Sequence, residues 1–127
     1  ANIEIYEAVG DGNIIIFGMN ASEASTLSHS YNPQDYFNNN AEIRRVIDFI
    51  NRGINGVQFR EISGIISYDP YMVLADFADY RMAQQKAEQM YAEREIWNDI
   101  SLMNISGAGH FAADRAIKEY AENIWDV

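Results

Sequence analysis

Apolar residues recur at helical spacing along most of the chain. The clearest case is the segment 114–125, whose apolar positions are Ile117, Tyr120, Ala121, Ile124 and Trp125. Steps of three and four residues are typical of a helix that buries one face. The same pattern predicts helices over 42–52, 57–67, 71–91 and 93–105, and Asn20 is placed to cap a short helix over 22–27. Pro33 and three consecutive asparagines indicate that 30–40 is a loop with at most one turn of helix.

One run, Ile14 to Phe17, has the pattern of a buried strand. It is β-branched and aromatic, and glycine-rich turn signals stand on both sides of it. A buried strand needs neighbouring strands for its backbone N–H and C=O groups, and the sequence offers no second strand. The sequence therefore predicts a mainly α fold with one short strand, which pairs with a second copy or belongs to a sheet completed elsewhere. No domain boundary is evident, so 1–127 is predicted to be a single partial domain.

Charge and composition narrow the classes of partner. The 127 residues carry a formal net charge of −10 and contain no cysteine. The densest cations, Arg44, Arg45, Arg52 and Arg60, sit among acids, so we expect binding neither to nucleic acid nor to an anionic membrane. The lack of cysteine excludes disulfides and thiolate chemistry. Because no apolar run approaches eighteen residues and no basic leader is evident, we expect a cytoplasmic protein.

The two lysines are candidates for a Schiff base with a carbonyl cofactor. Such a lysine needs a desolvated pocket with phosphate-binding donors around it. Lys86 and Lys118 instead stand among Glu and Gln on predicted solvated helix faces. We therefore expect no cofactor on either lysine.

A glycine-rich segment and the two histidines are also weak candidates. Gly107 to Ala112 fits the dinucleotide pattern G-x-G-x-x-A, but it follows a predicted helix rather than a strand, which favours a turn between helices. His29 and His110 lack an acidic or hydroxyl partner at the spacing of a metal site or a triad. Both histidines are predicted to be loop residues.

Carboxylates and aromatic side chains complete the candidates. Asp76 and Asp79 are three residues apart and could act as a pair, yet a solvated or helix-capping role is the favoured interpretation. Several aromatic residues could form a platform for sugars, although their helical spacing favours packing: Tyr80, Tyr91, Trp97, Tyr120 and Trp125.

Several short sequence segments, taken together in their order along the chain, give a more specific signal than any of these single residues. They are Ala1-Asn2-Ile3-Glu4-Ile5, Ile14 to Met19, Val46 to Gly53, Ala75 to Tyr80, Trp97-Asn98 ahead of Asn104-Ile105, and Phe111 to Trp125. In this order they resemble the carboxyl-terminal end of glycogen and maltodextrin phosphorylases along the whole chain. One departure is Ala112-Ala113, where that family usually has serines, so the last helix lacks its side-chain cap.

The resemblance implies a fold and a chemistry. The fold is the terminal part of the second Rossmann-like domain of a GT-B glycosyltransferase. The chemistry is phosphorolysis of α-1,4-glucans to glucose 1-phosphate with pyridoxal phosphate, whose lysine precedes the Ala-Asn-Ile-Glu word in that family. No catalytic, cofactor-binding or metal-binding residue of the family maps onto this chain, so none is predicted here and no coenzyme is expected on these residues.

Two hypotheses follow. In the first, the chain is a carboxyl-terminal fragment that supports the coenzyme domain and is inactive alone, and its partner is the remainder of the phosphorylase. In the second, it is a stand-alone helical interaction module derived from such an enzyme. Under either hypothesis we expect self-association, because the strand Ile14 to Phe17 and the last helix would expose surfaces that need covering.

Overall fold

The computed structural model describes residues 2–125, and the regular structure within them is almost entirely helical. Its α-helices are α1 (Asn2–Val9), α2 (Ala21–Ser28), α3 (Pro33–Asn39), α4 (Ala41–Arg52), α5 (Arg60–Ser63), α6 (Val73–Ala92), α7 (Arg94–Gly107) and α8 (Ala113–Tyr120). The chain forms two compact units. The central unit comprises Phe17–Gln84, and the terminal unit combines the residues before Phe17 with those from Gln85 onward.

The central unit is built on the apolar stripe of α4. Ile43 and Ile47, four residues apart and so on one face of the helix, are buried together with Leu74 of α6. Aromatic and aliphatic side chains pack around these three: Tyr36, Phe37, Ile65, Ile66 and Phe77. This small cluster is the hydrophobic core of the unit, and the helical spacing predicted from 42–52 is confirmed.

The terminal unit brings α1 and α7 together. Gly107 lies at the contact, where a Cβ atom would be 2.8 Å from a methyl carbon of Val9. Asn104 of α7 donates from its amide nitrogen to the carbonyl oxygen of Asn13 at 2.8 Å. Only the absence of a side chain at Gly107 allows the two helices to approach this closely.

The predicted strand over Ile14 to Phe17 is wrong for this chain. Ile14 is extended, with φ −139° and ψ 147°, but within residues 2–125 no strand is formed. Ile16 and Phe17 are 56% and 48% exposed, so the run is not buried either. The physical reason is the missing neighbour, because an extended segment becomes a strand only through hydrogen bonds to an adjacent strand.

The prediction for 30–40 was also wrong, because α3 makes about two helical turns there. The Asn32 side chain accepts a hydrogen bond from the Gln34 N–H at 3.2 Å and caps the helix. Pro33 occupies the first helical position, where its missing N–H would have had no intrahelical partner. The same residue types that indicated a loop therefore start a helix.

The ends of other helices agree more closely with those predicted from the sequence. The Asn20 cap is confirmed as a capping box, since its side chain accepts from the backbone of Glu23 while Glu23 accepts from the Asn20 N–H. α6 and α7 begin and end within two residues of their predicted limits. The helix over 57–67 is reduced to the single turn α5 and a 3₁₀ turn, Gly64–Ile66.

The last predicted helix changes character along its length. α8 begins at Ala113 without a side-chain cap, as the Ala112-Ala113 departure predicts. From Ala121 to Trp125 it continues as a π-helix. The first helix, α1, has no counterpart among the sequence predictions.

Candidate functional site

A buried carboxylate fixes an aromatic side chain in the central unit. Asp69 is 6% exposed and accepts two hydrogen bonds through Oδ2, from the Tyr31 hydroxyl at 2.6 Å and from the Leu74 N–H at 3.0 Å. The second bond satisfies an N–H in the first turn of α6, where a negative charge is favoured. Asp69 therefore joins the start of α6 to the segment before α3.

Burial, and then the hydrogen bond to Asp69, raise the pKa of Tyr31 well above its ordinary value. Removing the Tyr31 hydroxyl leaves the buried Asp69 carboxylate with one hydrogen-bond donor fewer. We expect Tyr31→Phe to lower the free energy of unfolding of the central unit by about 1–3 kcal/mol at pH 7. Chemical denaturation followed by circular dichroism measures it.

The contribution of the Tyr31 hydroxyl to the stability of the fold decreases at high pH. Because the pKa is raised in the folded state, this stabilisation is complete below the unfolded pKa of about 10 and falls as the pH rises further. The stability difference between the parent and Tyr31→Phe should thus be constant from pH 7 to 9 and shrink above pH 10. A difference that grows above pH 10 would contradict the assignment.

An open cleft of about 390 Å³ lies beside this pair. Its walls come from the end of α2, the segment that follows it, and α3, and they include Tyr31 and Tyr36. The ring centroids of the two tyrosines are 5.2 Å apart, with the ring planes inclined at 43°. Sequence reasoning missed this cleft because it assigned 30–40 to a loop.

Neither lysine fits a Schiff-base site. The side chain of Lys118 is 77% exposed and stands 4.0 Å from Glu122. Lys86 is exposed on α6. A Schiff-base lysine needs a desolvated pocket with phosphate-binding donors around it, whereas both of these side chains are exposed to solvent. Both lysines among residues 2–125 are therefore solvated side chains on helix faces.

The glycine-rich segment and the histidines lie at helix ends. Gly107 is the last residue of α7, and a 3₁₀ turn, Ala108–Phe111, leads into α8, so the interpretation as a turn between helices is confirmed. His29 Nδ1 is 2.8 Å from the carbonyl oxygen of Ser25 at the end of α2. His110 packs edge-on against Phe111. Within the described residues, no three His, Asp or Glu side chains are grouped so that they could hold a metal ion.

Asp76 has a role that the sequence interpretation missed. It is half-buried, and its Oδ1 accepts a hydrogen bond from the Met19 N–H at 3.0 Å. A Cβ atom at Gly18 would lie 2.8 Å from Oδ2 of Asp76, so a side chain at this position would displace the carboxylate. Asp79 is exposed. The two carboxylates are therefore not a pair, and Asp76 fixes the chain after Phe17 rather than capping a helix.

The aromatic residues at helical spacing pair with one another but remain partly exposed. Tyr91 meets Trp97 edge-on with centroids 5.2 Å apart, and Tyr120 lies 6.1 Å from Trp125. Tyr80 contacts Phe17 at 5.3 Å. Tyr80, Tyr91, Tyr120 and Trp125 are 45–55% exposed. They pack as predicted, although in pairs at the surface rather than in a core.

No helix between residues 2 and 125 is long and apolar enough to cross a membrane.

Comparison with known proteins gives one consistent result. The family model for carbohydrate phosphorylases matches residues 1–127. Glycogen phosphorylase of Synechocystis sp. is 39% identical over 133 residues, human liver glycogen phosphorylase is 37% identical over 133 residues, and the Bacillus subtilis enzyme is 36% identical over 134 residues. Each alignment covers 100% of this chain but only 16–17% of the relative, so the chain spans about a sixth of the length of these relatives.

Proposed function

Since the chain belongs to the carbohydrate phosphorylase family, we propose that it is a carboxyl-terminal segment of a pyridoxal-phosphate-dependent α-1,4-glucan phosphorylase. The parent enzyme would convert glucan and phosphate into glucose 1-phosphate in the cytoplasm. The observation that carries the proposal is the unequal coverage, in which relatives align with all of this chain over a sixth of their own length.

The segment would support the coenzyme domain and have no activity alone. Pyridoxal phosphate would be held by residues that precede Ala1 in the parent, since Lys86 and Lys118 lie on solvated helix faces. Both the coenzyme and the groups that orient glucan would then come from the remainder of the enzyme. Without groups that orient the substrate, a segment of this kind cannot lower the activation barrier of phosphorolysis.

Exposed apolar side chains support the remainder of the phosphorylase as the partner. Along α8 and the π-helix, Ile117, Tyr120, Ile124 and Trp125 are 51–66% exposed. Contiguous apolar surface of this kind usually marks an interface. In the parent, this chain would be the terminal part of the second Rossmann-like domain of a GT-B fold, and the remainder of that fold would cover these side chains. In the isolated chain, the same surfaces would favour self-association.

A chimera tests the supporting role. The 133 matched residues of the Synechocystis relative are replaced by this chain, and release of glucose 1-phosphate from glycogen and phosphate is measured. We expect the chimera to be active, and both the truncated relative and the isolated chain to be inactive. Activity of the isolated chain would contradict the proposal, and so would a chimera that folds and binds coenzyme but does not release product.

The second candidate function is a stand-alone interaction module. The exposed stripe on α8 favours it equally, because any apolar partner surface could cover that stripe. The two candidates predict different activities for the chimera. If the chain is a module unrelated to catalysis, the chimera should be inactive.

A further inference from the structure

The cleft beside Tyr31 has rigid aromatic walls. Tyr31 is held by its hydrogen bond to the buried Asp69, and Tyr36 packs against the core of the central unit. Their side chains are therefore ordered before any ligand arrives. A preformed wall lowers the entropy cost of binding, because fewer rotamers remain to be fixed.

The polar groups of the cleft include both donors and acceptors. Asn32 and Asn40 use their side-chain oxygens to cap α3 and α4, which leaves their amide N–H groups as donors. Asn39 donates its amide to the carbonyl oxygen of Asp35, which leaves its own side-chain oxygen as an acceptor. Among the described residues, the Asp35 carboxylate has no hydrogen-bond or ion-pair partner. The residues that line the cleft therefore include two with amide donors and two with side-chain acceptors.

This lining selects a class of ligand. A hydroxyl both donates and accepts, so neighbouring hydroxyls of a sugar match such a mixed set. No Lys or Arg lines the cleft, and Asp35 adds a negative charge, so phosphate and other anions are disfavoured. The volume of about 390 Å³ lies within the range of roughly 300–1,000 Å³ usual for small-molecule sites.

We propose that the cleft between Tyr31, Tyr36 and Asp35 binds glucosyl units of an α-glucan. The tyrosine rings face the apolar C–H surface of the sugar, and the amide and carboxylate groups bind its hydroxyls. The choice of an α-glucan rests on the proposed function, whereas the preference for a neutral sugar rests on the lining alone.

Titration of the ¹⁵N-labelled chain with maltotriose tests the proposal. We expect saturable amide shifts in the millimolar range, confined to 27–40. Asp35→Asn, which removes the charged acceptor and keeps the shape, should weaken binding about tenfold. Asp48→Asn is the matched control, because Asp48 is also an exposed carboxylate and lies on α4 outside the cleft. It should bind as the parent chain does.

Three results would overturn the proposal. These are the absence of saturable shifts, equal weakening by Asp35→Asn and Asp48→Asn, and equal affinity for the β-linked cellotriose. None of them depends on phosphorolysis. The chimera can therefore succeed while the sugar site fails, and the reverse, so the two proposals are tested separately.

Discussion

Gly53→Ala is expected to unfold the central unit or to leave it barely stable. Gly53 ends α4 with φ +77° and ψ 170°, a region of backbone space that is essentially open only to glycine. A Cβ atom there would also clash with the backbone carbonyl of Val57, which Ile54 bonds to close the turn. A backbone atom cannot move aside as a flexible side chain can. Strain alone costs about 1–3 kcal/mol, and the clash adds to it.

Gly56→Ala separates these two effects. Gly56 has a similar φ of +81°, but a Cβ atom there meets nothing within 4 Å. Heteronuclear NMR spectra should lose the dispersed amide signals of α4 in Gly53→Ala and keep them in Gly56→Ala. Similar losses in the two variants would show that the backbone angle, rather than the contact with Val57, governs this turn.

Ile43→Ala is expected to destabilise the central unit by about 2–5 kcal/mol. Ile43 is 2% exposed and lies in a core with few members, so the cavity left by three carbon atoms has little surrounding structure to close it. Thermal unfolding followed by circular dichroism should show a midpoint roughly 10 °C or more lower.

The control for this cavity is Ile62→Ala, the same chemical change at a side chain that is 56% exposed. It should shift the midpoint little, because little apolar surface is lost from the interior. A shift as large as that of Ile43→Ala would mean that the core is not centred on α4.

The sequence predicted those elements whose formation depends on residues close together in the chain, and it failed where formation depends on a distant partner. The helices over 41–52 and 94–107 carry their own signal, since the apolar stripe and the terminating glycine are local. The run at Ile14 was misassigned because strand formation needs a partner outside the described residues. Local residue types indicated a buried strand, and the lack of a second strand in the sequence left open whether a neighbour is supplied from elsewhere.

The candidate site was harder to predict than the fold. The hydrogen bond between Tyr31 and Asp69 joins residues that are 38 positions apart, and the one between Met19 and Asp76 joins residues 57 apart. No local sequence motif indicates either bond. A usable signal did exist for α3, because Asn32-Pro33 is a cap followed by proline at the first helical position.

The central claim, that these 127 residues are part of a longer phosphorylase, is tested most directly by the intact mass of the protein from its native cells. The visible absorption spectrum is taken on the same sample. We predict a chain several times heavier than 14.5 kDa that carries pyridoxal phosphate. A native species of 14.5 kDa without coenzyme would contradict the claim and make the interaction module the function to pursue.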